Sequence, residues 1–158
     1  MARKFCLLLI ALIVGCSHKP PYEGKSVSQL ERMLKDGNAE VQAQAAYGLS
    51  LHGPEAAEAV PALVDALASS NALVRQNSAL ALGRIGPAAR AAVPALTDGL
   101  RDAEWTVRRQ AAMALGDIGP DAAGAAPGLQ RLTKDPDRLV RKAAQEALAK
   151  VQGASVKK

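Results

Sequence analysis

The stretch Val107-Arg108-Arg109-Gln110-Ala111-Ala112-Met113-Ala114-Leu115-Gly116-Asp117-Ile118-Gly119-Pro120 decides the fold. Counted from Val107, the apolar residues Ala111, Ala114, Leu115 and Ile118 fall at steps of 4, 7, 8 and 11, which line one face of a helix with about 3.6 residues per turn. Gly119-Pro120 ends that helix, because glycine accepts the reversed backbone of a helix C-terminus and proline does not continue it. The pattern recurs 33 residues earlier as Val74, Ser78, Ala81, Leu82 and Ile85 before Gly86-Pro87. Val41 and Val140 open two further copies. Leu30, Leu63, Leu96 and Leu129 keep the same step, as do Leu49, Leu82, Leu115 and Leu148, and Pro61, Pro94 and Pro127. Several registers holding one period mark four copies of a single unit.

Each copy reads as two helices. The first starts near the proline, whose missing N–H would be unpaired in a first helical turn anyway. Unit one lacks that proline and carries Ser26 and Gln29 at the spacing of a capping box. Leu63 and Leu67, or their equivalents, stand one turn apart on this helix. A polar turn comes next, in which Asn38, Asn71 and Asp137 are good N-caps for the second helix and Glu104 is a poorer one. A lone pair leaves its apolar faces bare, and stacking neighbours buries them, which predicts an all-α right-handed solenoid, an α-α superhelix of four two-helix repeats. The composition agrees. Alanine occurs 33 times and aromatics make up 3%, which suits close helix packing and argues against a β-sandwich or barrel. At the far end Gln145 replaces Ala46, Ala79 and Ala112 of the other units, as expected where no further repeat stacks.

The segments Val74-Arg75, Ala79, Ala81-Leu82-Gly83, Ile85-Gly86 and Val107-Arg108, Ala111-Ala112, Ala114-Leu115-Gly116, Ile118-Gly119 resemble the HEAT-like repeat of the phycobilisome-lyase type. The resemblance covers residues 26–152. Ankyrin repeats share the 33-residue step, but Pro-Ala-Leu stands here where their Thr-Pro-Leu-His start would be. The resemblance implies a structural role for the ladder Arg75, Arg108 and Arg141, because in such arrays an Asp six residues earlier binds the arginine. Asp102 and Asp135 match that position and Ser69 does not. Phosphate or nucleic acid is the competing reading of a basic ladder.

The N-terminus carries an address. Arg3 and Lys4 precede the uncharged run Phe5 to Val14, which falls short of the about 20 apolar residues that span a bilayer and fits a secretory signal. The ending Ile13-Val14-Gly15-Cys16 resembles the lipobox of bacterial lipoproteins. That resemblance implies removal of residues 1–15 and acylation of Cys16, with residues 16–25 as a tether stiffened by Pro20-Pro21. An ordinary signal with an incidental cysteine is the alternative. Ser17 after the lipidated residue implies the periplasmic side of a bacterial outer membrane in preference to the inner membrane. Cys6 would leave with the signal and Cys16 would be blocked, so the mature chain would carry no free thiol. Residues 153–158 form a basic tail.

The free face comes from the same helical geometry. The position six after each Val lies opposite the core, and Tyr47, Leu80, Met113 and Glu146 occupy it. Ala43, Gln76, Arg109 and Lys142 lie on one flank, with Gln44, Asn77, Gln110 and Ala143 on the other. Apolar residues on a face that should be polar break the binary pattern, so we expect a shallow groove for an extended peptide or a partner helix. Scattered surface apolar residues are the plain alternative. Trp105, the sole tryptophan, is either an anchor in that groove or a cover for the adjacent turn. His52 takes a core position and His18 lies in the tether, and neither has neighbouring ligands, so no metal site and no cofactor are expected.

These readings converge on a membrane-anchored interaction scaffold without catalytic activity, whose partner is a protein or peptide and not nucleic acid. The HEAT-like resemblance also admits an accessory of a bilin-lyase-like or hydroxylase-like system. The hydroxylases use His-Glu pairs on their helices, and no such pair occurs here. A solenoid binding nucleic acid through the arginines is the reading if the signal is not used.

Overall fold

A computed structural model describes residues 19–153. Among them there is no strand, and eight α-helices form four antiparallel-type pairs. The pairs are α1 (Val27–Leu34) with α2 (Ala39–His52), α3 (Val60–Ala66) with α4 (Ala72–Ile85), α5 (Val93–Gly99) with α6 (Trp105–Ile118), and α7 (Ala126–Leu132) with α8 (Arg138–Val151).

Local chemistry sets the boundaries. Ser26 and Gln29 form the capping box at the start of α1. The side chains of Asn38, Asn71 and Asp137 accept first-turn backbone N–H groups of α2, α4 and α8. Glu104 offers α6 no such bond, and the Asp102 carboxylate accepts the Glu104 N–H instead at 2.9 Å. Gly53, Gly86 and Gly119 close the second helices with φ of 56°, 73° and 82°, a backbone that side-chain-bearing residues avoid. The joints that begin at these glycines are not anticipated by the periodicity. The chain continues there as short 3₁₀ helices, Gly53–Ala59, Gly86–Ala92 and Gly119–Ala125. Their buried alanines, Ala56 and Ala59, Ala89 and Ala92, Ala122 and Ala125, stand three apart, which is the 3₁₀ period.

The second helices lie side by side along the whole array, while the first helices barely touch one another. Close spacing in one layer and loose spacing in the other bends the stack, with the second helices on its inner side. Glycine makes the close spacing possible. A Cβ on Gly83 would stand 3.0 Å from the Cα of Ala114, and one on Gly116 would stand 2.9 Å from the Cα of Ala147. The leucines of the 33-residue step, Leu30, Leu63, Leu96, Leu129, Leu49, Leu82 and Leu115, are fully buried between the layers. Gln145 is exposed where Ala46, Ala79 and Ala112 are buried.

A second helix has its own first helix on one side and a second helix on each of two others, so its buried arc is wider than a single amphipathic face. Asn77, expected on the free face, is therefore buried, and its amide donates to the Ala43 carbonyl on α2 at 2.9 Å. Ala43 on α2 and Ala143 on α8 are also buried, since each of these end helices packs against its own first helix and one neighbouring second helix. Ser78 is buried with its hydroxyl unpaired, at a position where the other units have Ala45, Ala111 and Ala144. Ser78→Ala removes an unsatisfied buried group at no cost in packing. It should raise the unfolding free energy by about 1 kcal/mol in urea titrations.

Part of the expected tether is folded. Residues 20–25 make a turn in which the Glu23 N–H donates to the Pro20 carbonyl and the Lys25 N–H to the Tyr22 carbonyl. Tyr22 lies over Gly48, where an added Cβ would meet its own Cβ at 2.7 Å. Gly48 is the repeat equivalent of Ala114 and Ala147, the residues that meet Gly83 and Gly116 of the preceding second helix. At the N-terminal end Tyr22 supplies the cover that a preceding repeat would otherwise provide.

Candidate interaction surface

Two edges of the second helices carry the arginines, and they differ in kind. On the inter-repeat edge, Arg75 donates from Nε and Nη2 to the two carboxylate oxygens of Asp102 at 2.7 and 2.8 Å. Its Nη1 reaches the carbonyls of Ser69 and Ser70. Arg108 repeats the arrangement on Asp135 at 2.8 and 3.1 Å, with Nη1 on the Asp102 and Ala103 carbonyls. Arg141 keeps the carbonyl half alone, on Asp135 and Pro136.

The carboxylate that binds each arginine therefore lies 27 residues later, in the next repeat, and not six residues earlier as the family resemblance implied. The residue six earlier contributes its backbone carbonyl, which every residue has, so Ser69 does not deprive Arg75 of its fork. The departure at Ser69 matters instead for Gln42, which occupies the ladder position of unit one and donates to the Asp36 carbonyl at 2.7 Å. The pairs Arg75 with Asp102 and Arg108 with Asp135 are legible at that spacing once the geometry is known.

The forks tune each other. The hydrogen bond from Arg75, opposed by burial and helped by the Glu104 N–H, holds Asp102 below the usual carboxylate range. Burial pushes Asp135 up, but the bond from Arg108, the Asp137 N–H and the charges of Arg108 and Arg141 outweigh it, and the net shift is downward. The same bonds raise Arg75 and Arg108 above their ordinary value. These arginines have few donors left for a phosphate.

The other edge faces solvent. Gln76, Leu80 and Arg84 succeed one another by single turns on α4, as do Arg109, Met113 and Asp117 on α6, and Lys142, Glu146 and Lys150 on α8. Leu80, Met113, Gln76, Arg109 and Gln110 are half-buried, and Lys142 and Glu146 are exposed. Tyr47 is 38% exposed and meets Tyr22 edge-on, with ring centroids 5.2 Å apart at 68°. It is thus partly covered by the chain's own N-terminal turn. A shallow cleft of about 240 Å³ beside that turn is lined by Tyr22, Gly24, Lys25, Gly48, Leu51 and His52. His52 is half-buried, and its Nε2 lies 3.1 Å from the Lys25 carbonyl, so it helps to hold the turn.

The exposed apolar row is longer than the helical period alone suggested. Leu73, Leu139 and Leu51 are exposed, at one position before and ten positions after the repeat's Val. Both positions lie on the same helical face as Tyr47, Leu80 and Met113, a signal that was present in the period. Trp105 is 39% exposed at the start of α6, one turn before Arg109. Lys150 binds Asp117 at 2.7 Å across the α6–α8 boundary, and Lys142 stands 3.7 Å from Glu146. Cys16, His18 and residues 154–158 lie outside the described residues. Among the described residues no helix is long and apolar enough to cross a membrane, and no group of three or more His, Cys, Asp or Glu is placed to hold a metal ion.

The family profile described as HEAT repeats matches residues 27–104 and 93–158. No curated protein matches the sequence. Among solved structures the chain is similar to an engineered protein, with 29% identity and a TM-score of 0.68 over 81% of this chain and 63% of that one. It is also similar to a designed armadillo repeat protein in complex with the peptide (KR)4, with 23% identity and a TM-score of 0.70 over 79% and 64% of the two chains. The CpcE–CpcF complex of phycocyanin lyase from Nostoc sp. PCC7120 is similar at 22% identity and a TM-score of 0.58, over 82% of this chain and 66% of that one. In each case the chain spans less than two thirds of the structure it matches.

Proposed function

We propose that this chain, which belongs to the HEAT-repeat family, is an exported, lipid-anchored scaffold that holds a segment of a partner protein on the exposed face of its second helices. One observation carries the reading. Apolar side chains reach the surface in successive units, with Leu73, Trp105 and Leu139 exposed and Leu80 and Met113 half-buried, in an array that buries most of its apolar residues. Half-buried amides at Gln76 and Gln110 flank them and are suited to the backbone groups of an extended peptide. The designed armadillo protein holds its peptide in a complex of the same fold, which makes such a use of the surface physically reasonable.

The scaffold is non-catalytic in this reading. Its two best-held carboxylates, Asp102 and Asp135, are kept ionised by arginine forks, which suits structural acceptors and not proton donors. Nucleic acid is not the partner, since the Arg75 and Arg108 donors are already used. Export and anchoring rest on the lipobox ending at Cys16, with residues 1–15 removed, and the location in this reading is the bacterial envelope, on the periplasmic side of the outer membrane. Acyl anchors of this kind hold a protein at a membrane through about 0.8 kcal/mol for each buried methylene.

Crosslinking and capture from native membranes tests both halves. The double variant Leu80→Ser with Met113→Ser should keep its helix content by circular dichroism and lose the captured partner. Cys16→Ser should move the protein from the membrane fraction to the soluble one. Unchanged capture by the double variant would remove the surface reading, and retention of the Cys16→Ser protein after a carbonate wash would remove the anchor.

A further inference from the structure

We propose that the bound segment is acidic and extended, with a carboxylate side chain over Arg109 and apolar side chains three residues to either side of it. This rests on the reading that the exposed face of the second helices holds a partner segment. Arg108 and Arg109 are consecutive and do opposite work. Arg108 is spent on Asp135 and two backbone carbonyls. Arg109, on the solvent edge of α6, has no carboxylate within 4 Å among the described residues, and its neighbours along the helix are Trp105 and Met113, one turn before and one turn after.

The surrounding charges leave this spot positive. Asp117, the one acid within α6, is held by Lys150 at 2.7 Å. Lys142 of α8, the repeat equivalent of Arg109, makes only a loose pair with Glu146 at 3.7 Å, with both side chains mostly exposed. Such pairs contribute little, so Lys142 is free to turn to an incoming anion. A guanidinium binds a carboxylate through two parallel hydrogen bonds, and Arg beside Trp is the composition of a binding hot spot. A basic segment would meet like charge here.

Spacing sets the rest of the pattern. Neighbouring helices lie about 8–10 Å apart, and three residues of a chain extended in the polyproline II conformation make one turn, span about 9 Å and bring side chains three apart back to the same face. A carboxylate over α6 therefore puts the residues three before and three after it over α4 and α8. There Leu80 and Gln76 wait on one side and Leu139 on the other. The recognised pattern is apolar-x-x-acid-x-x-apolar.

Trp105 is the sole tryptophan and reports the test directly through its fluorescence. The purified protein is titrated with end-capped twelve-residue peptide pools carrying Leu-x-x-Glu-x-x-Leu, with x randomised over small polar residues, and with twin pools in which Gln or Lys replaces Glu. The Glu pool should bind at least ten times more tightly than the Gln pool, and the Lys pool should not bind measurably. Arg109→Glu should reverse that order, and Arg109→Gln should level it, both with unchanged circular dichroism. Equal binding of the Glu and Gln pools, tighter binding of the Lys pool, or an order unaffected by Arg109→Glu would overturn the proposal. So would a clear preference for an uncapped peptide whose one carboxylate is its C-terminus. If the pools bind without charge preference and Leu80→Ser with Met113→Ser abolishes that binding, the surface reading stands and the acidic partner falls. If no pool binds, both fall.

Discussion

Asp135→Ala lowers the unfolding free energy by about 2–3 kcal/mol, the largest effect expected of any polar substitution in the array. The change removes both acceptors of the Arg108 fork and the acceptor for the Asp137 N–H. Arg108 is left with one half of its guanidinium unpaired in a site where both partners are largely shielded from water. Arg141→Ala should cost less, because Arg141 holds backbone carbonyls and no carboxylate. The fork also fixes the pH dependence. Asp102 and Asp135 have folded-state values depressed below the unfolded value of 3.8. Their contribution is therefore complete above the unfolded value and is lost as pH falls through the depressed folded values. Urea midpoints should be flat near neutrality and drop in acid below that range. In Asp135→Asn the acid-dependent part of the drop should shrink, because one of the two titrating groups is gone. A drop of equal size in the variant would show that the forks do not govern acid stability.

Gly116→Val is the second large effect, about 2–3 kcal/mol, and it should be confined to one end of the molecule. A Cβ at that position stands 2.9 Å from the Cα of Ala147 and 3.1 Å from its Cβ, so the obstacle is backbone and not a flexible side chain. The α6 and α8 helices must separate to admit it. In a stack where each unit contacts its neighbours alone, the damage falls on the α7–α8 pair, which has one interface to lose. Hydrogen exchange should show faster opening of α8, with α2 and α4 nearly unchanged. Gly124→Ala is the matching control, since nothing lies within 4 Å of a Cβ there, and it should be close to neutral. Uniform loss of protection in all four pairs would mean that the array unfolds as one unit.

The repeat was legible because it is written several times over. The leucines of the 33-residue step, the Gly-Pro stops and the Asn and Asp caps each agree with the same two-helix unit, and the buried leucines and the side-chain caps stand where the period places them. The 3₁₀ joints were not legible. Their Ala-rich residues carry no strong helix or turn signal, and a three-residue spacing of alanines is short and easily missed. The free face was legible in part. Leu80, Met113 and Trp105 reach solvent to some degree, whereas Asn77, Ala43 and Ala143 do not. A helical wheel assumes one buried side, and these helices have two or three helix neighbours.

By itself the sequence determined the unit, its number and its order, because burying an apolar face at a fixed helical period is a local matter repeated along the chain. Only the tertiary structure decided which acid pairs with which arginine and how Tyr22 covers the first repeat. Those outcomes depend on how closely one helix lies beside the next, and that distance is set by contacts between residues about 30 positions apart.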